Sequence, residues 1–189
     1  IRNWTGWITN YSGMYKSMDN GQTWEKCDGI TFSSDSPFGQ GGYFKKDGYV
    51  YMIGTQTGRD SKAALARFLE SDIENRDQYE YWNGSSGEWK KGDENLATII
   101  IDDKVGELSF IYNETFNKWF IAYFNGDRYN ITMRTAEQIT GPWSEPYELA
   151  AGKDYAQLYG SYFHPLSVNG DNLYFLMSMW IKSPGCFRK

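Results

Sequence analysis

Three stretches of this chain repeat one plan: a first strand, a tight turn, and a second strand rich in aromatic residues. They read GQGGYFKKDGYVYMIGTQTGR, GELSFIYNETFNKWFIAYFNGDR and YGSYFHPLSVNGDNLYFLMSMW. Their starts, Gly39, Gly106 and Tyr159, lie 67 and 53 residues apart, spacings that suit four-stranded sheets with long loops. After the first two come a third strand and an outer segment: KAALARFL then QYEYWNG, and NITMRTA then GPWSEPYEL. An outer pair of the same kind, GMYKSMD and TWEKC, precedes the first repeat without inner strands. The best helical candidate, SKAALARFLE at 61–70, is equally placed to be a third strand and is read as one. The expectation is an all-β chain forming about three blades of a β-propeller, whose radial arrangement keeps strand edges short and protected. No Pro- or Ser-rich linker divides it, so residues 1–189 are read as one domain that begins and ends mid-blade.

Composition narrows the function classes. A formal net charge of −5, with Lys and Arg scattered singly, leaves no footprint for nucleic acid and no basic amphipathic helix for a membrane surface. No apolar run approaches the roughly 20 residues needed to span a bilayer. A phosphate cradle would need a Gly-rich loop followed by Lys-Ser/Thr, and zinc would need a His pair, yet His164 is the only histidine. It also has no G-x-S-x-G nucleophile to serve. Cys27 and Cys186 lack metal-ligand spacing and can be two thiols or one long-range disulfide. Five Asn-x-Ser/Thr triplets, at Asn3, Asn10, Asn83, Asn113 and Asn130, are what chance gives in a chain so rich in these residues.

The stretch SMDNGQTW at 17–24 fits the pattern S-x-D-x-G-x-T-W and resembles the Asp-box repeat of sialidases and other propellers. Its logic is local. Asn20 and Gly21 tolerate the positive φ of a tight turn, and the Asp19 carboxylate can accept bonds from turn amides. Trp24 is expected to pack between neighbouring sheets. The acidic spacing does not fit an EF-hand loop, so neither calcium nor catalysis is assigned to Asp19. GPWS at 141–144, similar to turns common in five-bladed glycoside hydrolases, is read as a Pro-Trp corner sealing adjacent strands.

Several motifs agree in order with one family. WITNYSGMYKSMDNGQTW, SPFGQGGYFKKDGYVYMIGTQTGR, YEYWNG, GELSFIYNETFNKWFIAYF and YGSYFHPLSVNGDNLYFLMSMW together resemble the domain-of-unknown-function family 4185. The resemblance implies a five-bladed, glycoside hydrolase-like propeller. Some members are endo-D-arabinofuranases that cut the D-arabinan of mycobacterial cell walls. It therefore implies a polysaccharide or oligosaccharide partner, a secreted or surface location, and no cofactor. In those members the catalytic aspartates lie in an N-terminal blade, upstream of the WITNYS element, so the pair is expected before residue 1. Asp19, Asp102 and Asp103 do not substitute for it.

Propeller geometry places the site. Inner strands start on the face that holds the site and second strands return to it. Gln40, Glu107 and Tyr159 are thus expected to converge from the first ends, and Arg59, Asp127 and Trp180 from the second. His164 falls within the last inner strand as a channel residue. This set suits a sugar: Arg and carboxylate fix hydroxyls, and aromatic faces stack on ring carbons. Glu107, at a Gly-flanked strand start, is the candidate acid; the alternative is that it pairs with Arg59 and holds two blades in register. Arg59, Arg128 and Arg134 do not assemble convincingly into the arginine cluster of a sialidase.

Overall fold

In the computed structural model, which describes residues 2–3 and 8–180, the chain is all-β with a curled, β-propeller-like sheet. The strands are β1 (Arg2–Asn3), β2 (Ile8–Thr9), β3 (Tyr11–Lys16), β4 (Glu25–Ser33), β5 (Gln40–Lys46), β6 (Tyr49–Thr55) and β7 (Ser61–Leu69). They continue with β8 (Glu80–Asn83), β9 (Glu88–Lys91), β10 (Ile99–Asn113), β11 (Lys118–Asn125), β12 (Asn130–Ala136), β13 (Tyr147–Ala151), β14 (Leu158–Phe163) and β15 (Phe175–Met179). Helix among the described residues is confined to 3₁₀ turns such as Pro165–Val168. The segment at 61–70 is a strand through Leu69, because its Ala, Leu and Phe side chains alternate between two buried faces.

Two antiparallel meanders, β5-β6-β7-β8 and β10-β11-β12-β13, form the body, with β3-β4 and β14-β15 as flanking hairpins. Apolar layers fill the three gaps between these four units. Phe32, Met52 and Phe68 lie in the first gap, Ile53, Leu65, Phe110 and Ile121 in the second, and Ala122, Phe124, Ile131 and Leu158 in the third. Neighbouring residues Met52 and Ile53, or Ile121 and Ala122, therefore serve different layers. That is why β6 and β11 read as unbroken apolar runs instead of alternating ones: both of their faces are buried.

One expectation is revised. The two meanders are not separate sheets, since β7 pairs with the first half of β10 through Ile99–Ala64, Ile101–Ala63 and Val105–Ser61. β10 is 15 residues long, and its register on β11 breaks between Val105 and Leu108. Its first half extends the sheet, and its second half is the inner strand beside β5 and β14.

Turn chemistry sets the strand ends. Asp47 and Gly48, at φ 51° and 80°, close the β5-β6 hairpin as an Asp-Gly turn does. In the Ser17–Trp24 turn, Asp19 Oδ1 accepts from the amides of Gln22 (3.0 Å) and Thr23 (2.8 Å) and from Ser17 Oγ (2.8 Å). Its Oδ2 accepts from Thr23 Oγ1 at 2.6 Å. These bonds, led by those from Thr23, bring the carboxyl down to about 2. Trp24 departs from expectation: it is 61% exposed. Its ring folds back over Gly21 and its indole N–H donates to the Gly21 carbonyl at 3.1 Å, so the local turn holds it. Trp143 does pack against the core between the meanders. Asn113 and Asn130 are buried, which removes them as glycosylation acceptors. Cys27 is buried in the first layer, while Cys186 lies outside the described residues.

Candidate functional site

The inner strands approach closely where their sequences carry glycine. A Cβ on Gly42 would lie 3.0 Å from Leu108 Cδ1, and one on Gly160 would lie 3.0 Å from Glu107 Cβ. This brings Glu107 of β10 against β14. Arg59 reaches the same place from the loop after β6, with Nη2 at 2.8 Å from Glu107 Oε2. The Arg59 guanidinium lies over the rings of Phe124 (4.5 Å) and Tyr159 (4.3 Å) and donates to the Tyr159 carbonyl at 3.3 Å. Tyr159 in turn faces Trp180, with ring centroids 6.1 Å apart and planes tilted by 32°. Trp180 is 63% exposed and offers its ring to solvent.

Gln40 supports this group from behind. Its side-chain amide donates to the Gly58 carbonyl at 2.5 Å and accepts from the Gly58 N–H at 3.2 Å. That two-point bracket holds the residue immediately before Arg59. Asp127 stands one step outward, paired with Lys104 at 3.1 Å, and Asp60 approaches the same ammonium at 3.7 Å. Hydrogen bonding to Asp127, and the charges of both carboxylates, push the Lys104 ammonium up from its ordinary value. Gly126 lets the Asp127 turn pack on the Arg59 backbone, since a Cβ there would lie 2.8 Å from the Arg59 carbonyl oxygen.

His164 is placed apart from the others. It falls just past β14, at the end opposite Tyr159, where its Nδ1 accepts from the Leu166 amide at 3.2 Å and caps the Pro165–Val168 turn. The backbone leaves the strand there to cross to β15, which takes the side chain away from the arginine end.

The alternative reading of Glu107 describes a contact that exists: it does pair with Arg59. Oε2 is buried against Nη2 at 2.8 Å, so that oxygen is closed by the arginine and any contact with a ligand falls to the rest of the pair. The side chains of Arg59 and Glu107 keep 32% and 23% exposure. The exposed part of this arginine–carboxylate pair, beside two aromatic rings, can meet the hydroxyls of a ligand that stacks on those rings.

Sequence reasoning missed Tyr162. Its hydroxyl lies 3.7 Å from the Cβ position of Gly160, the same point that Glu107 Cγ approaches at 3.6 Å. The signal was the Gly-x-Tyr spacing in YGSYF, since residues two apart share a strand face. Arg134 is committed elsewhere, bonded to Asp103, Tyr123 and the Ser144 carbonyl, so it does not join Arg59 in a sialidase-like cluster. Among the described residues no group of three or more His, Cys, Asp or Glu could hold a metal ion.

A cleft of about 510 Å³, lined by Phe116, Lys118, Phe120, Thr135 and Asp171–Leu173, opens at the other end of the strands. None of its lining residues is a buried polar group lacking a partner. The arginine end is the better candidate because it combines a charged pair with exposed aromatic rings.

The model of a domain of unknown function, DUF4185, matches residues 1–183. Notoamide biosynthesis cluster protein J of Aspergillus sp. (strain MF297-2) is 29% identical over 93% of this chain and 49% of its own length. An uncharacterized 35.9 kDa protein of Mycolicibacterium smegmatis is 28% identical over 72% of this chain and 44% of its own. The chain thus spans about half the length of the curated relatives it matches. A solved structure described as a "putative hydrolase" from Bacteroides ovatus aligns with TM-score 0.49 and 17% identity, over 69% of this chain and 35% of that one.

Proposed function

Because this chain belongs to the DUF4185 family, we propose that it forms part of a glycoside hydrolase-like propeller cleaving a furanose polysaccharide such as D-arabinan. The observation that carries the reading is the partly exposed Arg59–Glu107 pair set beside the Tyr159–Trp180 rings. Furanose rings present C–H faces to aromatic side chains and hydroxyls to a carboxylate. Trp180 and Tyr159 stack the ring, Glu107 accepts from its hydroxyls, and Gln40 keeps Arg59 in place. Glycosidic hydrolysis needs two carboxylates flanking the bond. Asp19 is saturated within its turn, Asp102 pairs with Lys62 at the surface, and Asp103 is bonded to Arg134 and Tyr123. In this reading none of the three breaks the bond, and Glu107 is the carboxylate that meets the sugar. A secreted or cell-surface location follows from a cell-wall substrate.

A second reading, a non-catalytic glycan-binding propeller, is favoured by the same geometry, since among the described residues Glu107 is the one carboxylate in the aromatic group. Incubation with D-arabinan separates the two. Release of oligosaccharides supports the hydrolase, and saturable retention without release supports the binding module. Neither release nor binding would contradict both.

A further inference from the structure

The second strands of the units are not partnered alike. In the two meanders they are paired on both edges: β6 lies between β5 and β7, and β11 between β10 and β12. β15 is the second strand of the last unit, and among the described residues it pairs with β14 alone. Its side chains differ accordingly. Residues 119–125 of β11 are all buried, whereas Phe175, Leu176 and Met179 of β15 are 37%, 59% and 42% exposed. Residues two apart share a strand face, so Phe175 and Met179 lie on the face of Met177, which packs against the third apolar layer.

That layer is also less filled than the first. In the first gap the third strand β7 supplies Ala64, Ala66 and Phe68. In the third gap the last unit buries Leu158 and Phe163 from its inner strand, and Met177 only in part. The cleft of about 510 Å³ opens over Phe120 and Leu173, which belong to the same layer. The edge of β15 carries few of the devices that keep strands apart. Residues 174–180, YFLMSMW, contain no charge and no proline, and the register shift on β14 is confined to the Met179 end. An uncharged strand with apolar side chains and an unpaired edge is a template for another strand.

We infer that this edge is an interface for one further β-strand, antiparallel to β15, whose apolar side chains close the third layer as those of β7 close the first. The strand comes from polypeptide equivalent to the half of the curated relatives' length that this chain does not match. A second copy fits less well. In the first unit the strand in this place sets the small Ala64 and Ala66 beside Gly54 and Met52, whereas β15 of a second copy would bring Phe175, Met177 and Met179 against the same three residues and overpack the layer. The inference does not rest on the glycan reading.

The test is hydrogen exchange, followed by mass spectrometry, on the whole chain alone and with nine-residue peptides. One peptide copies β7, SKAALARFL, and a set tiles the unmatched half of notoamide biosynthesis cluster protein J. A β7 copy carrying Leu65→Pro is the control, because proline cannot donate to a ladder. The β7 copy and at least one tiled peptide are expected to slow exchange across Phe175–Met179 at least about 5-fold at saturation, and the proline control to leave it unchanged. Met179→Lys in the chain, which places a charge under the added strand, is expected to weaken peptide binding at least about 5-fold. No slowing by any peptide, equal slowing by the proline control, or Met179→Lys binding like the wild type would overturn the proposal. So would a chain that sediments as a dimer with its β15 amides already protected, which would give the edge to a second copy.

Discussion

Strand β10 carries two carboxylates, Asp103 and Glu107, four residues apart, each facing an arginine, and the two pairs are built differently. Asp103 receives Arg134 Nη2 at 2.7 Å and the Tyr123 hydroxyl, while Arg134 also donates to that hydroxyl (3.0 Å) and to the Ser144 carbonyl (2.7 Å). Both charged side chains are only 16% exposed. Burial works to raise the Asp103 carboxyl, but the bonds from Tyr123 and Arg134 outweigh it and hold the group below its ordinary value. Glu107 and Arg59 are more exposed and their contact is not aligned as a hydrogen bond. The first pair spends its polar atoms on itself and locks β10, β11 and β12 together. The second stays partly exposed beside the Phe124 and Tyr159 rings. Two ion pairs of similar length are thus a closed structural element and, in the proposed reading, a binding element.

That contrast breaks most readily at Asp103. Asp103→Asn leaves Arg134 short of its counter-charge in a poorly exposed site, and is expected to cost about 3 kcal/mol. In calorimetry this lowers Tm by about 6 to 12 °C, with glycan binding by the folded protein unchanged. Glu107→Gln should behave in the opposite way: stability changes by less than about 1 kcal/mol, while oligosaccharide affinity falls at least about 10-fold. Equal destabilisation by the two variants would erase the distinction.

Acid unfolding sharpens the comparison. The Asp103 carboxyl is depressed in the folded state, so its contribution is complete above the unfolded value near 3.8 and is lost as pH falls through the lower folded one. The wild type is therefore expected to lose stability below about pH 4 more steeply than Asp103→Asn does. Denaturant titrations across that range measure the slope. Asp19 gives the smallest effect. Its carboxyl lies at about 2, so its contribution fades between pH 3.8 and about 2. Asp19→Asn should slightly lower Tm at neutral pH and leave glycan binding untouched.

What could be read from the residues was what neighbours in the chain decide. The Asp47–Gly48 turn, the Asp19 turn and the apolar run of β11 depend on residues within a few positions of one another, and each was legible. Trp24 was misread because a local bond to Gly21, rather than a sheet face, fixes its ring. His164 was misplaced by a single residue past a strand end, enough to turn it into a cap at the far end of β14. The β7–β10 pairing and the bulge of β10 depend on register between distant segments. Strand order was sufficient to gather Gln40, Arg59, Glu107, Tyr159 and Trp180 at one end. It could not show that Lys104 occupies Asp127, or that Gly160 lets β14 pack directly on Glu107, because those contacts depend on how closely distant segments approach.

The most direct measurement is calorimetric titration of the wild type and Glu107→Gln with arabinofuranosyl oligosaccharides, with Tm recorded for both. Saturable binding that weakens at least about 10-fold in the variant, at nearly constant Tm, is the result this structure predicts. No binding by the wild type, or equal binding by both proteins, would contradict it.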